Sequence, residues 1–329
     1  MNSFGRIFRI TIYGESHGAC LGILLDGVPS GIPLNESDFE ADISRRRSGA
    51  AGTTARKETD VPRVLSGVYN GHTTGAPLHI QFENSDTMPS DYSSITHTPR
   101  PGHADFTANV KFRGYQDPRG GGHFSGRLTL ALIAAGVVAK KMIHPVRVES
   151  NILEIGGEKD YHELVDSVSK AGDSVGGLVQ CTATGVPPGL GEPFFDSVES
   201  VISHLVFSIP AIKGIEFGSG FEAARMKGSG HNDPIVDPAG KTLTNHAGGI
   251  NGGITNGNVL VFRVAVKPTS SIALPQQSID LNTGKPVSLE IKGRHDTCIA
   301  LRMPVILEAV TAIALADLML VEIARSSTR

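Results

Sequence analysis

Arginine and histidine recur on glycine-rich or turn-forming backbone in five short segments of this chain. They are Gly14-Glu-Ser-His17-Gly18, Ser44-Arg-Arg-Arg47-Ser-Gly49, Arg100-Pro-Gly-His103-Ala-Asp105, Arg119-Gly-Gly-Gly-His123-Phe-Ser-Gly-Arg127 and Gly293-Arg-His-Asp296-Thr-Cys298. Glycine lets backbone N–H groups approach a ligand closely, and arginine offers a planar fork of donors that stays charged. The combination describes a pocket for a multiply anionic, phosphorylated small molecule, with histidines placed for proton transfer. Seven of the 18 arginines lie in these segments, while the net charge is −3. Positive charge is therefore local, which fits a small anion rather than nucleic acid or an anionic membrane.

Taken singly, each segment has an ordinary reading. A triple glycine in a loop is a flexible turn; flanked by Arg119, His123, Ser125 and Arg127 just before a helix start, it becomes a candidate anion or cofactor contact. Arg45, Arg46 and Arg47 alone would be a solvated helix face, and Asp296 beside Arg294 a surface ion pair. No Gly-x-Gly-x-x-Gly follows a strand and no Walker loop occurs, so neither a standard dinucleotide nor an ATP site is expected. None of the 12 histidines falls in a His-x-x-x-His or His-Glu-x-x-His array, and no metal is expected. Cys20, Cys181 and Cys298 are far apart, which fits a reducing compartment. Met1 to Arg6 has no apolar core of a leader and no run of 18 apolar residues occurs, so a cytoplasmic protein is expected.

The elements that must position these segments are read from periodicity. Residues 4–12 and 21–26 form a hairpin with His17 at its bend. Ser37 and Glu40 make a capping box for a helix reaching Arg47, whose last turn carries three arginines. Short β runs occupy 60–83, and 84–127 reads as a long irregular functional stretch. Residues 128–143 are apolar nearly all round and read as a buried helix, with Arg127 at its positive end. Strands follow at 177–185, 213–220 and 260–267, with helices at 196–207 and 304–325. Candidate site segments spanning 14 to 298 imply one large intertwined α+β domain over 1–329.

In combination the segments are far more specific. With Asp26-Gly-Val-Pro29, Asn245-His-Ala-Gly-Gly249 and Lys267-Pro-Thr-Ser-Ser271 they resemble, in order and over nearly the whole chain, the chorismate synthase family. The resemblance implies a single-domain β-α-β sandwich assembled as a homotetramer. It implies a 1,4-anti elimination of phosphate from 5-enolpyruvylshikimate 3-phosphate, giving chorismate and requiring reduced FMN, with NADPH only the indirect source of electrons. Position by position, it implies that His103 is the acid near flavin N1 and His17 the acid near the leaving phosphate, with Asp296 and Ser16 relaying a proton. Arg46, Arg100, Arg127 and Arg294 would clamp the substrate anions. His123, Phe124, Ser125, Gly230, His231, Gly252, Lys267, Pro268, Thr269, Ser270, Ser271 and Arg294 would contact the flavin.

Three departures accompany the resemblance. Ala50-Ala51-Gly52 stands where many relatives carry another arginine, and Ser125-Gly-Arg-Leu-Thr129 where they often read Ser-Ala-Arg-Glu-Thr. The chain is also shorter than most members, chiefly after residue 145, and an external flavin reductase is expected. Two rival readings are a non-catalytic flavin- or phosphate-binding protein and a flavin oxidoreductase. Presence of His17, His103 and Asp296 speaks against the first, and lack of a nicotinamide motif against the second.

Overall fold

The computed structural model describes residues 2–47, 52–53, 59–85, 97–291 and 295–326. Two antiparallel sheets enclose two helices. Strands β1 (Ser3–Phe4), β2 (Arg9–Gly14) and β3 (Cys20–Asp26) open the chain, and β4 (Arg63–Ser66) follows. After the short hairpin of β5 (Val68–Tyr69) and β6 (His72–Thr73) comes β7 (Leu78–Glu83), which completes a sheet of order β1-β2-β3-β7-β4. The second sheet is built from β8 (Arg147–Ile155), β9 (Gly177–Thr184), β10 (Ile212–Phe217) and β13 (Leu260–Val266), in the order β10-β13-β9-β8. Two further hairpins are β11 (Ile250–Asn251) with β12 (Ile254–Thr255), and β14 (Gln276–Asp280) with β15 (Lys285–Leu289).

The expected hairpin carrying His17 is β2–β3, in register from Arg9↔Asp26 to Gly14↔Leu21. Alternation places Leu21, Ile23 and Leu25 on the core face, with Leu78, Ile80 and Phe82 of β7 beside them, all fully buried. Helix α3 (Thr129–Met142) packs on that face, and α7 (Met303–Ser326) packs on β8 and β9 of the other sheet. The two helices lie against each other, giving a sheet–helix–helix–sheet stack around one hydrophobic cluster that draws on both sheets. Gly136 permits this crossing: a Cβ there would come within 2.5 Å of Ala309 Cα. The stretch Ile299–Ser326 is long and apolar enough to cross a membrane, yet most of it is buried within the protein, as befits a core helix.

Several expectations are corrected. The first helix is capped earlier than Ser37: the Asn35 N–H donates to Asp38 Oδ2 at 2.8 Å. A 3-10 turn, Glu36–Phe39, then leads into α1 (Glu40–Arg46). Asp38 stands three residues after Asn35 and reaches back, so this earlier pair does what Ser37 and Glu40 were expected to do. The stretch 84–127 contains a helix, α2 (Asp105–Phe112), in which only Ala108 is buried and no apolar stripe announces it. Strand β8, helix α4 (His162–Lys170) and the β14–β15 hairpin are further elements that the sequence reading does not place, although Leu164, Val165 and Val168 of α4 stand at helical spacing. Helix α5 (Val198–Ser208) begins two residues later than expected and ends one later, capped by Ser197, whose side chain accepts from the Ser200 N–H. A short helix, α6 (Gly228–His231), follows β10.

Candidate active site

A cavity of about 670 Å³ opens between the two sheets at the N-terminal ends of α3 and α7. All five arginine–histidine segments supply wall residues, the last through His295 and Asp296. Ser16 comes from the β2–β3 bend, Arg46 and Arg47 from the end of α1, and Arg100 and His103 from the turn before α2. Gly120 and Phe124 to Arg127 come from the turns before α3, and Lys267 to Ser271 follow β13. Arg302 and Met303 lie at the start of α7, so five arginines line one cavity.

The triple glycine makes the close approach possible. Gly120, Gly121 and Gly122 all have positive φ (59°, 81° and 53°), a region open to glycine. A Cβ on Gly120 would overlap the His17 ring and come within 2.9 Å of Ser16 Oγ, and one on Gly121 would meet His103 Cε1 at 3.4 Å. The two histidines thus press against adjacent residues of one glycine backbone. Ser16 is anchored there by its N–H donating to Gly122 O at 3.1 Å.

The guanidinium groups are held by a small number of anions and carbonyls. Arg46 Nε donates to Thr129 Oγ1 at 3.0 Å, its Nη2 to Gly126 O at 2.9 Å, and its Nη1 stands 3.7 Å from Asp60 Oδ2. Arg127 donates to Asp60 Oδ1 at 2.8 Å and to Asn84 Oδ1 at 2.7 Å. Burial draws the Arg46 guanidinium down to about 10; Asp60 opposes this, while Arg302 and Arg127 add to it. It remains charged at neutral pH, and the crowding of like charges favours an incoming anion. Arg302 Nη2 faces Asp296 Oδ1 at 2.9 Å. Arg100 is held by Asp105 through Nε (2.7 Å) and Nη2 (2.8 Å), and its Nη1 donates to Ser271 Oγ at 3.1 Å. Burial pushes the Asp105 carboxyl up, but hydrogen bonds from Arg100 and His103 outweigh it and hold the group well below the usual carboxylate range. Lys267 Nζ donates to Gly102 O and Ser270 Oγ, at 2.6 and 2.9 Å; burial, then Lys213, draws its pKa down.

The family model described as chorismate synthase matches residues 8–320. A chorismate synthase from Chitinophaga pinensis is 60% identical over 323 residues, covering 98% of this chain and 97% of the relative. The chain belongs to the chorismate synthase family. It is accordingly a carbon–oxygen lyase acting on phosphates, in the shikimate route to aromatic amino acids. A Korarchaeum cryptofilum chorismate synthase is 44% identical over 346 residues, covering 95% of this chain and 96% of that one. The fold agrees: a crystal structure of chorismate synthase superposes with a TM-score of 0.72 at 28% identity, covering 97% of this chain and 93% of that one.

Among the residues expected from the sequence, Ser16, Arg46, Arg100, His103, Phe124, Ser125, Arg127, Lys267 to Ser271 and Asp296 line the cavity, and His17 lies behind Gly120. His123 turns away, with its Nδ1 2.8 Å from Gly14 O. Gly230 and His231 sit on α6, where the His231 ring faces His246 at 5.7 Å, and Gly252 lies in the β11–β12 turn. None of these three lines the cavity. Arg294, with Gly293 and Ser48 to Ala51, lies outside the described residues. Gly52 is described, and its carbonyl accepts from the N–H of Thr297 at 3.0 Å. Sequence reasoning missed Asp60, Arg302 and the apolar wall of Ile209, Ile299 and Ile306. Asp105 lay inside a quoted motif, two residues after His103, and that spacing was the signal for it. Among the described residues no group of His, Cys, Asp or Glu is arranged to hold a metal ion.

Proposed function

We propose that this member of the family converts 5-enolpyruvylshikimate 3-phosphate into chorismate and phosphate with reduced FMN as its cofactor. The observation that carries the reading is the convergence of five arginines, Ser16, His103 and Asp296 on one cavity, with His17 immediately behind its glycine wall. The substrate bears a phosphate and two carboxylates, and several guanidinium forks answer that charge.

In the elimination, the ring C–O bond to phosphate breaks, a proton leaves the far side of the ring and a second ring double bond forms. Nothing is oxidised overall. His17 hydrogen-bonds or protonates the departing phosphate, a contribution typical of a positioned acid. Arg46, Arg100 and Arg127, with Arg294, orient the substrate anions. Asp296 and Ser16 pass the released proton on.

The donor set fits a phosphorylated flavin. Lys267 and Ser270 converge on Gly102 O, and Thr269 Oγ1 is buried with no hydrogen-bond partner, leaving it capacity for a ligand. The cavity volume lies within the range of small-molecule and cofactor sites. When bound, reduced FMN supplies an electron-rich ring that assists C–O cleavage without net consumption of reductant. His103, as a cation, offsets the negative charge of that ring, and Lys267 to Ser271 with Phe124 and Ser125 hold it. His123, Gly230, His231 and Gly252 belong to the flavin reading on the resemblance alone. We further propose one domain, a cytoplasmic homotetramer, and a separate flavin reductase that draws on NADPH.

The test is an anaerobic assay with dithionite-reduced FMN, following chorismate and phosphate together. Equal release of both, with reductant unchanged, is expected. Consumption of one reductant per turnover would assign an oxidoreductase, and binding without release a non-catalytic protein.

A further inference from the structure

The carboxylate of Asp105, the first residue of α2, stands between His103 and Arg100. Oδ1 lies 2.6 Å from His103 Nδ1 and 2.8 Å from Arg100 Nη2, while Oδ2 accepts from Arg100 Nε at 2.7 Å and from the Arg100 backbone N–H at 3.0 Å. Two groups therefore compete for His103 Nδ1, because Arg100 Nη2 also lies 3.0 Å from it. The nitrogen cannot donate to the carboxylate and accept from the guanidinium through the same site. A guanidinium has no acceptor, and an ionised carboxylate has no donor. The contact with the anion is the shorter, and Arg100 Nη2 already has Oδ1 as its acceptor. The proton on Nδ1 therefore belongs to the bond with Asp105.

We infer that Asp105 is a positioning residue for the reaction, fixing His103 in the Nδ1–H form so that Nε2 is the atom that exchanges a proton with the ligand. The opposite edge of the ring supports this: His103 Nε2 and Cε1 face Gly121, at 3.5 and 3.4 Å from where a Cβ would stand, and the ring is a cavity-wall group. Asp105 itself cannot rotate freely, since Arg100 holds both its oxygens. The orientation of the acid is thus inherited from a substrate-clamping arginine through one carboxylate. A carboxylate that accepts the remote N–H of an imidazole sets both its tautomer and its angle, a general device in sites where histidine moves protons.

The assignment of a proton-exchanging role to His103 rests on the function proposed above, so the test has two independent arms. In protein without ligand, labelled with ¹⁵N-histidine, long-range proton–nitrogen spectra identify the tautomer of the neutral His103 ring, assigned by its absence in His103→Gln. Wild type should show a protonated Nδ1 and a bare Nε2, and Asp105→Asn a mixture of both forms. A bare Nδ1 or an averaged ring in wild type overturns the inference, whether or not the variant folds. In the turnover assay, Asp105→Asn should lower kcat ~10- to 100-fold, part of the usual worth of one acid–base group. In a His103→Ala background it should cost less than about two-fold more, because a residue acting through another loses its effect when that other is gone. Multiplicative losses overturn the inference. If wild type released no phosphate, the functional reading would fall, and the tautomer would still decide the placement of the proton.

Discussion

Arg127 and Arg47 both border the cavity but are tied to different things. Arg127 is buried, with its fork divided between Asp60 and Asn84. Arg47 pairs with Glu40 through Nη1 and Nη2 at 2.6 and 3.1 Å, with both side chains substantially exposed. Exposed pairs contribute little. Arg127→Lys keeps the charge and loses the fork, so substrate affinity by calorimetry should weaken by about 1–3 kcal/mol, the range for charge-assisted hydrogen bonds. Arg47→Lys should change it far less. The reverse ranking would reassign the anion clamp.

Asp105 gives a pH prediction at the same scale. Its carboxyl is held well below the usual range in the folded protein, despite burial, by hydrogen bonds from Arg100 and His103. The unfolded chain titrates such a group near ~3.9. A depressed folded pKa means the contribution is fully present above that value and is lost as pH falls toward the folded pKa. Stability measured by urea unfolding should therefore decline below about pH 4, and decline less steeply in Asp105→Asn. Equal acid slopes for the two proteins would remove Asp105 as a contributor.

At the scale of elements, the crossing of α3 and α7 is the tightest constraint. Gly136 faces Ala309, and a methyl group there meets the Ala309 Cβ and the backbone behind it, neither of which can rotate aside. Gly136→Ala would ordinarily favour a helix, by up to about 1 kcal/mol. Here overpacking should dominate and destabilise by about 1–3 kcal/mol, read as a lower urea midpoint. Stabilisation would mean that the helices separate easily. The same helix, α7, also fastens the N-terminus: Asp317 accepts from the backbone N–H groups of Arg6, Ile7 and Phe8 at 2.8–3.0 Å. Periodicity made α3 and α7 readable because apolar residues fill them. It failed for α2, where only Ala108 is fully buried, and for β14–β15, where only Leu289 is buried.

At the scale of the whole molecule, residues from the first bend to the start of α7 share one wall, so ligands seated together there share contacts. Each ligand orders groups that the other uses, which makes their affinities reciprocal. FMN should bind much more tightly with 5-enolpyruvylshikimate 3-phosphate present, as fluorescence titration would measure. Equal affinities with and without it would count against a shared cavity.

The sequence by itself determined the chemistry of the site: arginine and histidine on glycine backbone in five segments, and with them the family. Residue type and local spacing carry that information because charge, donor geometry and positive φ belong to individual residues. Only the tertiary structure decided which charges face one another. Asp60 joins Arg46 to Arg127 across 14 and 67 positions of chain, and Asp296 meets Arg302 at the start of α7. It also decided that Arg45 turns from the cavity to Glu308 of α7 while its neighbour Arg46 turns inward. Three consecutive arginines look alike in sequence. The partners of Arg45 and Arg46 lie on elements brought near by the packing of α1 against α3 and α7, and no local pattern encodes a partner that distant.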